Sequence, residues 1–138
     1  MTHASLRRRE ALYLRKIQDR IAEIKARFIY PLREPIVDIA VAETMEHLSF
    51  AAAKKLHFTP CEGGYRWGED WGSAWFRLCF RVPKGMAGRC VKLLLDLENS
   101  ECLIFRDGLP VQGLCWTRKE YTLFEKAKGG EKVELYVE

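Results

Sequence analysis

The chain lacks any close pair of cysteines, and its cysteine count is odd. Five thiols at Cys61, Cys79, Cys90, Cys102 and Cys115 argue against a disulfide framework and against a structural zinc site. They fit reduced cysteines in a cytoplasmic protein. The opening MTHASLRRRE carries charge but no apolar core, so it does not read as a signal peptide. No stretch approaches the roughly 18 apolar residues of a membrane span. Both phosphate-cradling glycine patterns, GxxxxGK[ST] and GxGxxG, are missing. Histidine is scarce: His3, His47 and His57 stand apart, none spaced with another ligand as a metal site requires. No catalytic constellation is visible anywhere in the 138 residues.

What is present divides into two parts. Residues 1–33 hold nine Lys/Arg against three acids, a balance of +6 within a net charge of +4. The rest of the chain is slightly acidic. The basic arm includes Arg7, Arg8 and Arg9, which would suit nucleic acid, yet it lacks interleaved aromatics and any recognised binding motif. A solvated helix face is the plainer reading, with no nucleic-acid and no membrane partner. Leu14, Ile17, Ile21, Ile24 and Phe28 recur at spacings of 3 and 4 and so share one helix face. With Ser5 as N-cap and Pro31 as terminator, the pattern predicts a helix over about residues 5–28. Its stripe needs a partner: another domain, a sheet, or a second copy in a homodimer through the N-terminal helix.

Residues 34–138 read as one sandwich domain. Residues 29–42 form an extended connector with a short strand after Pro35, and the alanine-rich segment at 43–60 is ambiguous. AWFRLCFRVP is the clearest strand: Phe76, Leu78, Phe80 and Val82 point to a buried face, and Trp75, Arg77, Cys79 and Arg81 to a mixed, solvated one. Cys90 to Leu97 and Glu101 to Arg106 follow as strands, separated by a turn at Glu98-Asn99-Ser100. Asp107-Gly108 predicts a two-residue hairpin turn, after which Pro110 keeps the returning strand at an edge. Further strands are expected at 114–116, 121–124 and 132–137. Short strands with turn signals every 8 to 12 residues indicate an antiparallel β-sandwich. Phe76, Leu78, Phe80, Leu93, Leu95 and Phe105 are its expected core, and Phe80→Ala should cost about 3–5 kcal/mol. Trp67, Trp71 and Trp75 sit in or beside a glycine-rich loop. Such rings either stack on sugars or plug the open end of the sandwich.

WGSAWFRLCFRVP, VKLLLDLENSECLIFRDGLPVQGL and GGEKVELYVE together resemble the N-terminal domain of family 38 α-mannosidases of the bacterial and cytosolic type. The matching positions are Trp71, Trp75, Phe76, Arg77, Asp96, Glu101, Asp107, Gly108, Pro110, Gln112 and Gly113, and the likeness covers about residues 60–138. The resemblance implies a galactose-binding-like, jelly-roll type sandwich set before a downstream catalytic domain. It implies a retaining, metal-dependent parent glycoside hydrolase with zinc in that catalytic domain and no cofactor in this chain. Family members run to many hundreds of residues, so this chain reads as an excised domain or a truncated product. No catalytic residue carries over. Retaining glycosidases need two carboxylates about 5–5.5 Å apart, and nothing in the sequence pairs any two of Asp70, Asp96, Glu98, Glu101 and Asp107.

Two functions follow as expectations: a non-catalytic mannosidase domain, or a free-standing carbohydrate-binding module. The candidate carbohydrate or domain-interface contacts are Trp71, Trp116, Asp107 and Gln112.

Overall fold

The computed structural model describes residues 3–68, 71–98 and 100–138. The chain divides into two units, Met1–Glu34 and Pro35–Glu138. The first is a helix, α1 (His3–Ile24), running on into a π-helical turn at Lys25–Ile29. Tyr30 then leaves the helical region at φ −128° and ψ 64°, as the residue before a proline must. The helix starts earlier than the cap signal implied, so Ser5 lies within its first turns instead of ahead of them. Glu23 accepts hydrogen bonds from Arg20 and Arg27 one turn to either side. Within this unit Leu14, Ile17, Ile21, Ile24 and Phe28 all remain exposed.

The second unit is built on a six-stranded antiparallel sheet. Its strands in chain order are β1 (Asp38–Thr44), β2 (Thr59–Cys61), β3 (Ser73–Arg81), β5 (Cys102–Arg106), β6 (Leu109–Leu114) and β8 (Lys132–Val137). Their spatial order is β2-β1-β3-β8-β5-β6. Strands β4 (Val91–Leu94) and β7 (Glu120–Phe124) pair as a second, two-stranded sheet. The ambiguous segment contributes β2 and one helical turn, α2 (Phe50–Ala53), capped by the Ser49 side chain.

Period-2 alternation along β3 and β8 feeds two separate cores. Leu78 and Val82 from the β3 side, with Val133, Leu135 and Val137 from β8, meet Val91, Leu93 and Leu123 of the small sheet. Ile104 of β5 is fully buried among them. The opposite face of the large sheet is covered too. Trp75 is 0% exposed there, packed with Ala53, Phe105 and Tyr136 beneath Phe50, Leu56 and Phe58. Phe50 stacks on Phe105 at 5.1 Å between ring centroids and meets Tyr136 edge-on at 5.3 Å.

Leu78, Leu93 and Phe105 are buried as the alternation predicted, but Phe76, Phe80 and Leu95 are only half-buried at the margin of the first core. The expected solvated face of β3 holds the most deeply buried aromatic ring instead. On the other face Phe80 stays half-buried between the buried Leu78 and Val82, so the cover over that face is uneven along the strand. The second strand also stops at Leu94 instead of Leu97, although Leu95 N–H still donates to the Lys119 carbonyl at 2.9 Å. Asp107 and Gly108 have φ of 53° and 84°, the positive pair that the two-residue turn demands. Beyond it, Pro110 lies on the edge strand β6, where a ladder donor is not missed. Gly129 has φ 82°, and a Cβ there would stand 3.1 Å from the Lys84 backbone, so the turn into β8 tolerates no side chain.

Trp75→Ala is expected to destabilise the sandwich by about 3–5 kcal/mol, with Phe80→Ala costing clearly less. Urea denaturation of the two variants checks this, and equal losses would contradict the two-core arrangement.

Candidate functional site at the tryptophan-rich end

Strands β3 and β5 begin, and β6 and β8 finish, at one end of the large sheet. The register requires it: Phe76 and Ile104 both face Val137, and Cys102 faces Leu114. The loop entering β3 and the loop leaving β6 therefore emerge together. Trp67, Trp71 and Trp116 belong to these two loops.

The loop before β3 is tied to β1. Glu43 accepts a 2.7 Å hydrogen bond from the Tyr65 hydroxyl and a 3.4 Å bond from the Gly68 N–H. The adjoining carboxylate pushes the exposed Tyr65 phenol above its usual range, chiefly through that hydrogen bond. So anchored, Trp67 sets its edge against the Phe76 ring, with centroids 4.9 Å apart. These two rings and Leu97 form apolar walls of a cleft of about 450 Å³, whose other walls come from Gly72–Ala74, Ser100–Leu103, Val137 and Glu138. Burial raises the Glu138 carboxyl, with His47 acting weakly in the opposite sense.

Trp71 is 93% exposed and holds φ of 71°, a left-handed conformation that is unusual for a bulky residue. Trp116 is 67% exposed at the turn closed by the Cys115–Arg118 bridge. Three strand steps separate β3 from β6, roughly 14 Å. The tryptophans thus occupy one end of the fold, but Trp71 and Trp116 do not line the cleft. Trp75, the third ring of the sequence cluster, is core.

Asp107 and Gln112 do not line the cleft either. Asp107 sits in the β5–β6 turn at the opposite end of the sheet, its side chain exposed and 3.9 Å from the Arg106 Nε. Gln112 Nε2 donates to the Glu120 carbonyl at 2.6 Å, which fastens edge strand β6 to β7 of the small sheet. Arg106 does the same from β5, donating to the Leu123 carbonyl at 2.8 Å while its guanidinium lies 4.8 Å from the Phe124 ring centroid. Sequence reading missed Arg106 and Glu43, because each acts on a backbone or loop group remote in the chain.

Asp96 accepts from Lys119 Nζ at 2.5 Å and from the Glu98 N–H at 3.2 Å, and both bonds, Lys119 first, hold its carboxyl below the usual range. Asp70 and Asn99 lie outside the described residues. Among the described residues, no group of three or more His, Cys, Asp or Glu is placed to hold a metal ion. None of the five cysteines is paired, and no described helix is long and apolar enough to cross a membrane.

Residues 33–138 match the family described as the α-mannosidase jelly roll domain. The chain belongs to that family. Similar proteins include α-mannosidase G of Dictyostelium discoideum, 32% identical over 107 residues, which covers 74% of this chain and 10% of that protein. α-Mannosidase 2C1 of Mus musculus is 33% identical over 99 residues, 69% of this chain and 9% of its own. The Homo sapiens α-mannosidase 2C1 is 31% identical over 108 residues, 75% of this chain and 10% of that protein. The chain spans about a tenth of the length of the curated relatives it matches.

Asp96→Asn is expected to loosen the loop after β4 at neutral pH. A carboxylate whose native pKa is depressed contributes stability above its unfolded value and loses it as pH falls through the native one. The gap in melting temperature between wild type and variant should therefore narrow as pH drops below about 4. A gap that is constant from pH 7 to pH 3 would show that the Lys119 bond contributes nothing.

Proposed function

We propose that the chain serves as the non-catalytic N-terminal domain of an α-mannosidase, docked on a catalytic domain that supplies the nucleophile and the divalent metal, zinc by the family resemblance. The family match over residues 33–138, beside relatives of which the aligned stretch makes up about a tenth, carries this reading. Residues 1–33 act as a helical arm and residues 34–138 as the sandwich. The exposed stripe from Leu14 to Phe28 supports a docking role for the arm, against the catalytic domain or, in the isolated chain, against a second copy. A cytoplasmic location is supported by five unpaired thiols.

A second reading, carbohydrate binding by the sandwich itself, draws on the exposure of Trp71 and Trp116 at the same end of the fold. The left-handed conformation of Trp71 adds to it, because strain held at an exposed ring points to use.

The purified chain, supplied with zinc and an aryl α-mannoside, is expected to show no turnover above buffer; zinc-dependent hydrolysis would overturn the accessory reading. Titration with methyl α-mannoside separates the second reading. A tryptophan-fluorescence response at millimolar sugar that Trp71→Ala abolishes would establish a binding module. For the arm, replacing Ile17 and Ile24 by Glu is expected to convert a sedimenting dimer to monomer without unfolding the sandwich. A wild-type chain that is monomeric at high micromolar concentration rules the helix-mediated dimer out.

A further inference from the structure

The seam along α1 is bordered by charge of one sign. Leu14, Ile17, Ile21, Ile24 and Phe28 are all exposed, at alternating spacings of 3 and 4. That spacing makes a seam of coiled-coil width, narrower than the face of a helix laid on a sheet. With 3.6 residues per turn, Tyr13, Arg20 and Arg27 border it on one side and Gln18 and Lys25 on the other. All the charge on these borders is positive. Asp19 falls opposite the seam, and Glu23 lies outside the arginines. Glu23 accepts a bond from the Arg20 guanidinium and a 3.2 Å bond from that of Arg27. These bonds, Arg20 first, hold its carboxyl below the usual range. One outer carboxylate thus sets two exposed guanidinium groups in a row beside the seam. Each guanidinium has five N–H donors, more than Glu23 can occupy.

A second copy is an ill-matched occupant. A parallel pair sets Arg20 of each helix against Lys25 of the other, and an antiparallel pair sets arginine against arginine along one border. Like charges opposed in this way weaken the self-pair and favour a partner of the opposite sign. An anionic lipid surface would also attract the cations. A seam one side chain wide at each turn, however, fits between the side chains of another helix, whereas a helix lying in lipid buries a whole apolar face.

We propose that the arm docks on an acidic amphipathic helix, one whose own apolar seam is bordered by Asp and Glu set against Arg20 and Arg27 on one side and Lys25 on the other. That helix belongs to the catalytic portion of the parent mannosidase, so the inference rests on the accessory-domain reading. The charge along the borders, beyond the apolar stripe alone, identifies the partner. Pairing of isolated chains is then the weaker use of the same seam. It forms against the border charges, and added salt strengthens it.

Synthetic helices of about four heptads, with Leu along the seam and either Glu or Lys on both borders, are the probes. At low salt the purified chain is expected to bind the Glu-bordered helix about tenfold more tightly than the Lys-bordered one, since several border contacts change from repulsion to attraction. Arg20→Gln with Arg27→Gln should narrow that preference, and salt at about 1 M should nearly abolish it. Ile17→Glu with Ile24→Glu should end binding to both helices. Where the wild-type chain sediments as a dimer, an equimolar amount of the Glu-bordered helix should displace the second copy. Binding to neither helix, equal affinity for both, or a homodimer that persists beside the Glu-bordered helix overturns the proposal. So does binding to phosphatidylserine vesicles that Ile17→Glu with Ile24→Glu abolishes, which would make the occupant a membrane. Mannoside hydrolysis by the chain would reject the accessory-domain reading and leave the charge preference standing.

Discussion

The sandwich depends on a large sheet that is buried on both faces by different means. Its central strands, β3 and β8, carry apolar side chains at alternate positions on each side, so a single ladder serves two cores. Leu78 and Leu135 look toward the small sheet, whereas Trp75 and Tyr136 look toward α2 and its flanking loops. A register slip of one residue in β8 would exchange Leu135 with Glu134 or Tyr136 and spoil both cores at once. This double penalty fixes β8 between β3 and β5, and the positions of the loops at either end follow from it.

Closing the sandwich raises a second problem, because two strands cannot cover six. The small sheet is fastened to the far edge of the large one by side chains that donate to its backbone: Gln112 to Glu120 and Arg106 to Leu123. Each bond occupies a β7 carbonyl. Lys92 and Glu120 add an ion pair at 2.7 Å within the small sheet, both partners partly solvated and so contributing little. Gln112, a candidate contact from the sequence, takes part in this closure, and Asp107 sits in the hairpin turn.

The strands, the hairpin and the helix were legible because each is written in local periodicity or local turn chemistry. The Asp107-Gly108 turn needs nothing beyond two residues willing to take positive φ. The second core was not legible. Period-2 alternation shows that Trp75 lies opposite Leu78, but whether water or protein meets it depends on residues 48–58, which reach the sheet by tertiary packing and carry no strand pattern of their own. Phe76 and Phe80 lie on the face that alternation assigned them, but alternation fixes a face and not how fully each ring on it is covered, and both stay half-buried against the first core. Glu43 escaped notice because its partners, Tyr65 and Gly68, are more than twenty residues away.

The gathering of three tryptophans at one end is a consequence of topology. Once β8 is fixed antiparallel between β3 and β5, the loop entering β3, the loop leaving β6 and the last residue of β8 emerge side by side. The Trp67 ring in the first of those loops then becomes one wall of the cleft at that end. Trp67 is the member packed on a neighbouring ring, that of Phe76, in a loop that Glu43 ties to β1; Trp71 and Trp116 stand exposed. A ring that is packed and half enclosed serves the fold of its own loop, whereas a ring left standing in solvent suits contact with something outside the sandwich, such as a sugar or the face of another domain. The tryptophans of this end therefore divide, with Trp67 serving the loop and Trp71 the candidate for carbohydrate or domain contact.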